Sequence, residues 1–196
     1  MNDNRKTTTE ELTEIRSLME RSSMCVSLSG LGGVLVGVCA LAGVAAGSLL
    51  PDLGENTAMF LTLAGSVFLS ALLCIVFFSY RRSRQMKTKL WNSPTKRMTL
   101  HLAVPLIAGS FIVLKLLQLD LFELLPATSL IVYGVAIFSA SHYCTNESRW
   151  LAYGEMILGC VAICFPALGW LFWTTGFGIL HIMFGVIMWN RHEKNN

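Results

Sequence analysis

Five ionisable side chains stand inside long apolar stretches of this sequence: His101, Lys115, His142, Glu155 and His181. Such groups are costly in apolar surroundings and are kept there for a partner or a task. The stretch GFGILHIMFG, Gly176 to Gly185, places His181 between glycines, and Glu155 opens the earlier run EMILG. A carboxyl and an imidazole in contact satisfy each other, and the same pair can exchange a proton or hold a small ligand. A tight antiparallel hairpin turning near Pro166 to Gly169 would set Glu155 level with His181 and Gly159 near Gly178. The pair then reads either as glue that closes the hairpin or as a working proton or ligand site. A second set, His101, Pro105, Ala108, Ile112 and Lys115, shares one face of another stretch. Pro105 frees a backbone carbonyl beside it, and that face is expected to look inward. Lys115, close to the end of its stretch, can also extend its ammonium to the interface.

Other chemistry is thinly represented. The six cysteines are Cys25, Cys39, Cys74, Cys144, Cys160 and Cys164. Cys160 and Cys164 are one helical turn apart, but no CxxC or paired cysteine and histidine spacing accompanies them, so no metal is expected. Haem needs axial histidines at suitable depths, and only His181 lies deep, so no cofactor is expected. Phosphate-binding loops, nucleophile elbows and zinc protease motifs are not found, and the chain is read as a non-enzyme.

The elements that must position these residues follow from composition. Hydrophobic residues make up 54% of the 196, charged residues only 14%, and the mean hydropathy is +0.57. Lipid is the solvent this composition suits. Six apolar runs approach the roughly 20 residues that a helix needs to cross a bilayer. They lie at about Val26 to Leu50, Thr57 to Tyr80, Thr99 to Leu119, Leu125 to His142, Trp150 to Phe165 and Leu171 to Trp189, the fifth being the shortest. The runs are continuous rather than alternating, which favours helices over a barrel. The expected fold is all-α: a polytopic membrane protein whose six helices form three antiparallel hairpins. Residues 1–25 form a cytoplasmic amphipathic segment, 26–190 the membrane domain and 191–196 a cytoplasmic tail. Thr8 and Glu11 make a capping box ahead of Leu12, Ile15, Leu18 and Met19 at helical spacing.

Of the 15 Lys and Arg residues, 14 fall on one side of this arrangement, in 1–25, 81–98, Arg149 and the tail. The opposite loops carry Asp52, Glu55, Asp120 and Glu123. Positive charge stays inside, so both termini are expected in the cytoplasm. Trp150 and Trp189 then mark the inner interface, Trp170 and Trp173 the outer turn. The basic connection 81–98 suits anionic lipid headgroups; with Trp91 as its one aromatic, it does not suit nucleic acid.

Helices in lipid associate through close backbone approach, so small residues mark interfaces. Gly30, Gly33, Gly37, Ala40 and Gly47 form a stripe on the first span, and Thr174, Gly178, His181 and Gly185 one on the sixth. Phe177, Leu180, Phe184 and Ile187 on the other side of the sixth span are expected to face lipid. Gly159 belongs to the same packing device.

From LMERSSMCVSLSGLGGVLVG, and again through LPATSLIVYGVAIFSASHYCTNESRW to GFGILHIMFGVIMW, the chain resembles a family of small six-span bacterial inner-membrane proteins. In that family a glutamate before the first span, a Tyr-Gly, a span-five glutamate and Gly-Phe-Gly-x-Leu-His recur together. They correspond to Glu20, Tyr133, Gly134, Glu155 and Gly176 to His181. The family has no established activity, so the resemblance implies an architecture and a multi-pass inner-membrane location but no reaction; the hairpins also look loosely like the acid-resistance type of small membrane protein. The expected function is a membrane module sensing protons, a small ligand or stress. The alternative is a small transporter or channel with Glu155 and His181 on the path, a role that six short spans would serve best as a homo-oligomer.

Overall fold

The computed structural model describes residues 29–54, 56–85, 91, 93–144 and 146–192. The Thr8 capping box, the whole of 1–25, most of the basic connection and the last four residues lie outside them. Among the described residues every regular element is helical: α1 Gly30–Ser48, α2 Thr57–Gln85, α3 Ser93–Gln118, α4 Leu125–Ala140 and α5 Asn146–Cys164. A sixth rod follows, made of α6 Gly169–Trp173, a π-helical segment Thr174–Leu180 and α7 His181–His192. Short 3-10 turns at Pro51–Gly54, Phe122–Leu124, Ser141–Tyr143 and Pro166–Leu168 join neighbours.

Five helices are long and apolar enough to cross a membrane: Gly30–Ser48, Thr57–Gln85, Thr95–Gln118, Phe122–Tyr143 and Pro166–Arg191. α1 contains six glycines, each costing about 1 kcal/mol against alanine in a water-exposed helix. In hydrocarbon the alternative is an unpaired backbone, which costs several times more, so the helix persists. α5 falls outside this set because Glu147, Arg149 and Glu155 share its 19 residues. It begins at Asn146, ahead of the expected start at Trp150.

Helix ends follow local chemistry. Asn56 Oδ1 accepts the Met59 N–H at 3.0 Å and caps α2. α3 closes where Asp120 takes φ 55°. The Leu121 N–H there reaches the Leu116 carbonyl at 3.0 Å and Asp120 N–H the Leu117 carbonyl at 3.2 Å, a Schellman turn.

α1 packs between α2 and the sixth rod, α4 between α3 and α5, and α5 also touches the sixth rod. α1, α4, α5 and the rod thus form the interior, with α2 and α3 outside; the most apolar stretch of α2 has no buried residue. The seam between α1 and the rod is made by glycine. A Cβ on Gly37 would stand 2.7 Å from the Gly178 carbonyl oxygen, and one on Gly33 would stand 3.2 Å from Gly185 Cα. Gly185 in turn faces the backbone of Val34. Gly33, Gly37, Gly178 and Gly185 are therefore packing glycines of one interface.

Two expectations about faces are corrected. Gly159 does not meet Gly178: its Cβ position points at Ile131 and the Ala127 carbonyl of α4, while Gly178 meets Leu41 of α1. Phe177, Leu180 and Phe184 do not face lipid but pack on the buried clusters around Leu130 and Ala152. The outward residues are Ile179, Met183, Val186 and Ile187. The cause is a rod covered on two sides, by α1 at Gly178 and Gly185 and by α4 and α5 around Leu130 and Ala152; Phe177 and Phe184, four residues before and three after His181, share the second side with it.

Candidate functional site

Glu155 lies on the inner stripe of α5, where Leu151, Ala152, Gly159 and Ala162 are also buried. These positions recur at helical spacing, so the interior of the bundle receives the carboxyl as it would a core side chain. Glu155 has no exposed surface, and His181, the first residue of α7, is 3% exposed. Tyr133 reaches them from α4.

The three side chains form a row. The Tyr133 hydroxyl is 2.8 Å from His181 Nε2. On the other side of the ring, Nδ1 stands 3.1 Å from the Gly176 carbonyl oxygen and 3.3 Å from Glu155 Oε1. With the phenol donating to Nε2, the ring proton resides on Nδ1 and is aimed at the Gly176 carbonyl. Both ring nitrogens are then satisfied, and the carboxyl lies beside the Nδ1–H without accepting it. Neither Glu155 oxygen accepts a hydrogen bond among the described residues. The contact is an ion-pair geometry lacking the hydrogen bonds that normally accompany a buried carboxylate.

Gly176 supplies more than its carbonyl. A Cβ there would fall 2.5 Å from Glu155 Oε2 and 2.5 Å from Leu130 Cδ2, so only glycine lets the rod close over the carboxyl. The Thr174 hydroxyl donates to the Trp170 carbonyl at 2.7 Å and that of Thr175 to the Leu171 carbonyl at 2.9 Å. Such back-bonds loosen a regular helix, and the π-helical segment begins at the same point. Trp173, Phe177 and His181 follow at intervals of four, with centroids 4.8 Å apart for the first pair and 5.7 Å for the stacked second pair. Tyr133 lies against Phe177 at 4.8 Å. Aromatic faces thus pack against the Tyr133 and His181 rings of the row.

The structure brings together Glu155, His181 and Tyr133 and leaves His101 and Lys115 apart from them. The face bearing His101, Ala108, Ile112 and Lys115 is exposed, not inward as expected, with Pro105 half-buried. α3 turns Gly109 and Leu117 to its neighbours instead; Gly109 receives Val132 of α4, and this contact sets the rotation of the helix. His101 has its own partners, Ser139 Oγ at 3.3 Å from Nδ1 and the Tyr143 hydroxyl at 3.3 Å from Nε2. His142 is exposed and lies edge-on to Phe138. The Gly176 carbonyl and Leu130 were not legible as parts of the site; the paired threonines followed by Gly-Phe-Gly are the local signal that marks the segment.

Among the described residues no three His, Cys, Asp or Glu side chains gather as metal ligands. Fold and site together define an all-helical chain with membrane-length apolar helices and a buried phenol, imidazole and carboxyl in a row. Comparisons with protein families, with characterised proteins and with solved structures returned no match.

Proposed function

We propose that this chain is an integral membrane protein that senses protons, or a small cation standing in for one, at the Glu155, His181 and Tyr133 row, and that it is not an enzyme. The observation that carries the reading is the Glu155 carboxyl, fully buried, 3.3 Å from His181 Nδ1 and accepting no hydrogen bond. A buried carboxylate without donors is costly, and a proton or a small cation supplies what its neighbours do not. A proton arriving at this pair redirects Nδ1–H between the carboxyl and the Gly176 carbonyl. That carbonyl belongs to the π-helical segment, so a local proton movement acts on the backbone of the whole rod.

The same reading takes the bundle as six spans in three hairpins with both termini in the cytoplasm of a bacterium, in its inner membrane. Its support is the one-sided distribution of Lys and Arg and the Arg191 to Glu147 ion pair at 2.8 Å, which joins the end of α7 to the start of α5. The family resemblance rests on Tyr133, Gly134, Glu155 and Gly176 to His181, the residues of the row and its cover. Lipid is the main partner, with anionic headgroups at 81–98, and the outward faces of α2 and α3 leave room for a homo-oligomer. Nucleic acid has no part in the reading.

The test uses Trp173, which packs on Phe177. Its emission, isolated as the difference between the wild type and Trp173→Phe in lipid nanodiscs, is expected to change between acid and neutral pH and to stay constant in Glu155→Gln. Emission that is constant in the wild type as well would overturn the reading. A transporter or channel is the second reading, favoured by a π-helical interruption beside two buried polar groups. Under it, proton flux into liposomes falls in Glu155→Gln and His181→Ala; a wild type with no flux above empty liposomes removes it.

A further inference from the structure

A cluster that shares no residue with the Glu155 row lies where α3 meets the 3-10 turn Ser141–Tyr143. The Cys144 thiol donates to the Met98 thioether sulfur at 3.2 Å, and both side chains are half-buried. Met98 and His101 stand three residues apart on α3 and so share a face of that helix. His101 Nε2 is 3.3 Å from the hydroxyl of Tyr143, the residue just before Cys144, and the two rings lie 5.1 Å apart. Its Nδ1 is 3.3 Å from Ser139 Oγ. Two soft sulfur atoms already touch, and an imidazole one turn along α3 from Met98 bonds the residue that precedes Cys144.

The geometry points to a binding site for a soft monovalent ion, Cu(I) or Ag(I), held by Cys144 Sγ, Met98 Sδ and His101 Nε2. Thiolate and thioether select soft ions, and imidazole also suits copper. Ser139 plays the part that outer groups play at metal sites, taking the Nδ1–H and turning the Nε2 lone pair to the ion, which displaces the Tyr143 hydroxyl from it. Calcium and magnesium require oxygen ligands, and none of the three donors is one. Zinc takes four ligands from Cys, His and carboxylate, and only two of these donors qualify. On binding, the Cys144 proton passes to water, and the new thiolate and the ion cancel in charge, as a half-buried site beside apolar helices demands. The sulfur atoms must part to admit the ion, which the three rotatable bonds of methionine allow. Nothing in the sequence announces the site, because Met98 lies on α3 and Cys144 just past the 3-10 turn Ser141–Tyr143, 46 residues on, and the thioether belongs to no spacing motif.

The test uses the full chain in detergent, reduced and in chloride-free buffer, with one equivalent of Ag(I). Alkylation by N-ethylmaleimide is followed at each cysteine by peptide mass spectrometry. Cys144 is expected to react on the order of tenfold more slowly with the ion present, because a thiolate bound to the ion is no longer the free nucleophile, while the exposed Cys160 and Cys164 keep their metal-free rates. Met98→Leu and His101→Gln should each remove most of that protection, and Ser139→Ala part of it. Equal protection of all three thiols, or none at Cys144, overturns the site within the wild type and needs no variant. Protection of Cys144 that survives both Met98→Leu and His101→Gln means thiol affinity alone and also overturns it. Melting curves of each variant establish that the folded chain is being compared.

Discussion

Glu155 is surrounded by groups that give it no hydrogen, and the energetic consequences fall on each neighbour differently. His181→Ala leaves the buried Tyr133 hydroxyl without the ring it bonds, and a buried polar group left unpaired costs about 1 to 3 kcal/mol; thermal unfolding in detergent should fall accordingly. Glu155→Gln keeps the shape, and its amide has hydrogens to give to the Gly176 carbonyl. Its melting temperature should therefore match or exceed that of the wild type, and a clear drop would show that the carboxyl is better satisfied than its contacts indicate. Gly176→Ala places a methyl 2.5 Å from Glu155 Oε2 and Leu130 Cδ2, and overpacking of that kind costs about 1 to 3 kcal/mol. It should also abolish the pH response of Trp173, since the rod can no longer close on the carboxyl. The pairing of Glu155 with His181 was legible because a turn near Pro166 to Gly169 fixes which residues of two antiparallel helices are level. The idle hydrogen-bonding capacity of Glu155 was not, because it depends on where the Nδ1–H points, and that is set by a carbonyl of the π-helical segment.

At the scale of elements, the glycine stripes of the sequence sorted into interfaces only after helix rotation was known. Gly33, Gly37, Gly178 and Gly185 serve the seam between α1 and the rod, whereas Gly43 receives Val67 of α2 and Gly159 receives Ile131 of α4. A single covered face on the rod would leave Phe177 and Phe184 to lipid; a second cover, from α4 and α5, buries them on the side they share with His181. Two alanine substitutions separate packing from propensity. Gly185→Ala sets a methyl against the backbone of Val34, where no side chain can yield, and should lower the melting temperature by a stability loss of at least about 1 to 3 kcal/mol. Gly65→Ala meets nothing within 4 Å and should be neutral, or stabilising by up to about 1 kcal/mol. Equal effects at the two sites would contradict the seam. Asp120 holds a left-handed conformation that glycine adopts without strain; Asp120→Gly should be tolerated and Asp120→Val should not.

For the whole molecule, five membrane-length helices accompany the less apolar α5, whose carboxyl-bearing face packs on α4 and the rod while its other face stays exposed. The apolar runs and their number of residues were plain in the sequence, since lipid demands continuous hydrophobic length. The neighbour relations were not, because every helix offers small residues and none carries a code for its partner. α5 tolerates Glu155 because α4 and the rod cover that face, and the row is thereby closed to water. If the sensing reading holds, the proton must reach Glu155 itself. The most direct measurement is the infrared difference spectrum of the protein in lipid between acid and neutral pH, recorded for the wild type and for Glu155→Gln. A carboxylic acid C=O band that grows at acid pH in the wild type and is missing in Glu155→Gln is the predicted result. A wild-type spectrum in which no such band differs from that of Glu155→Gln would contradict the account.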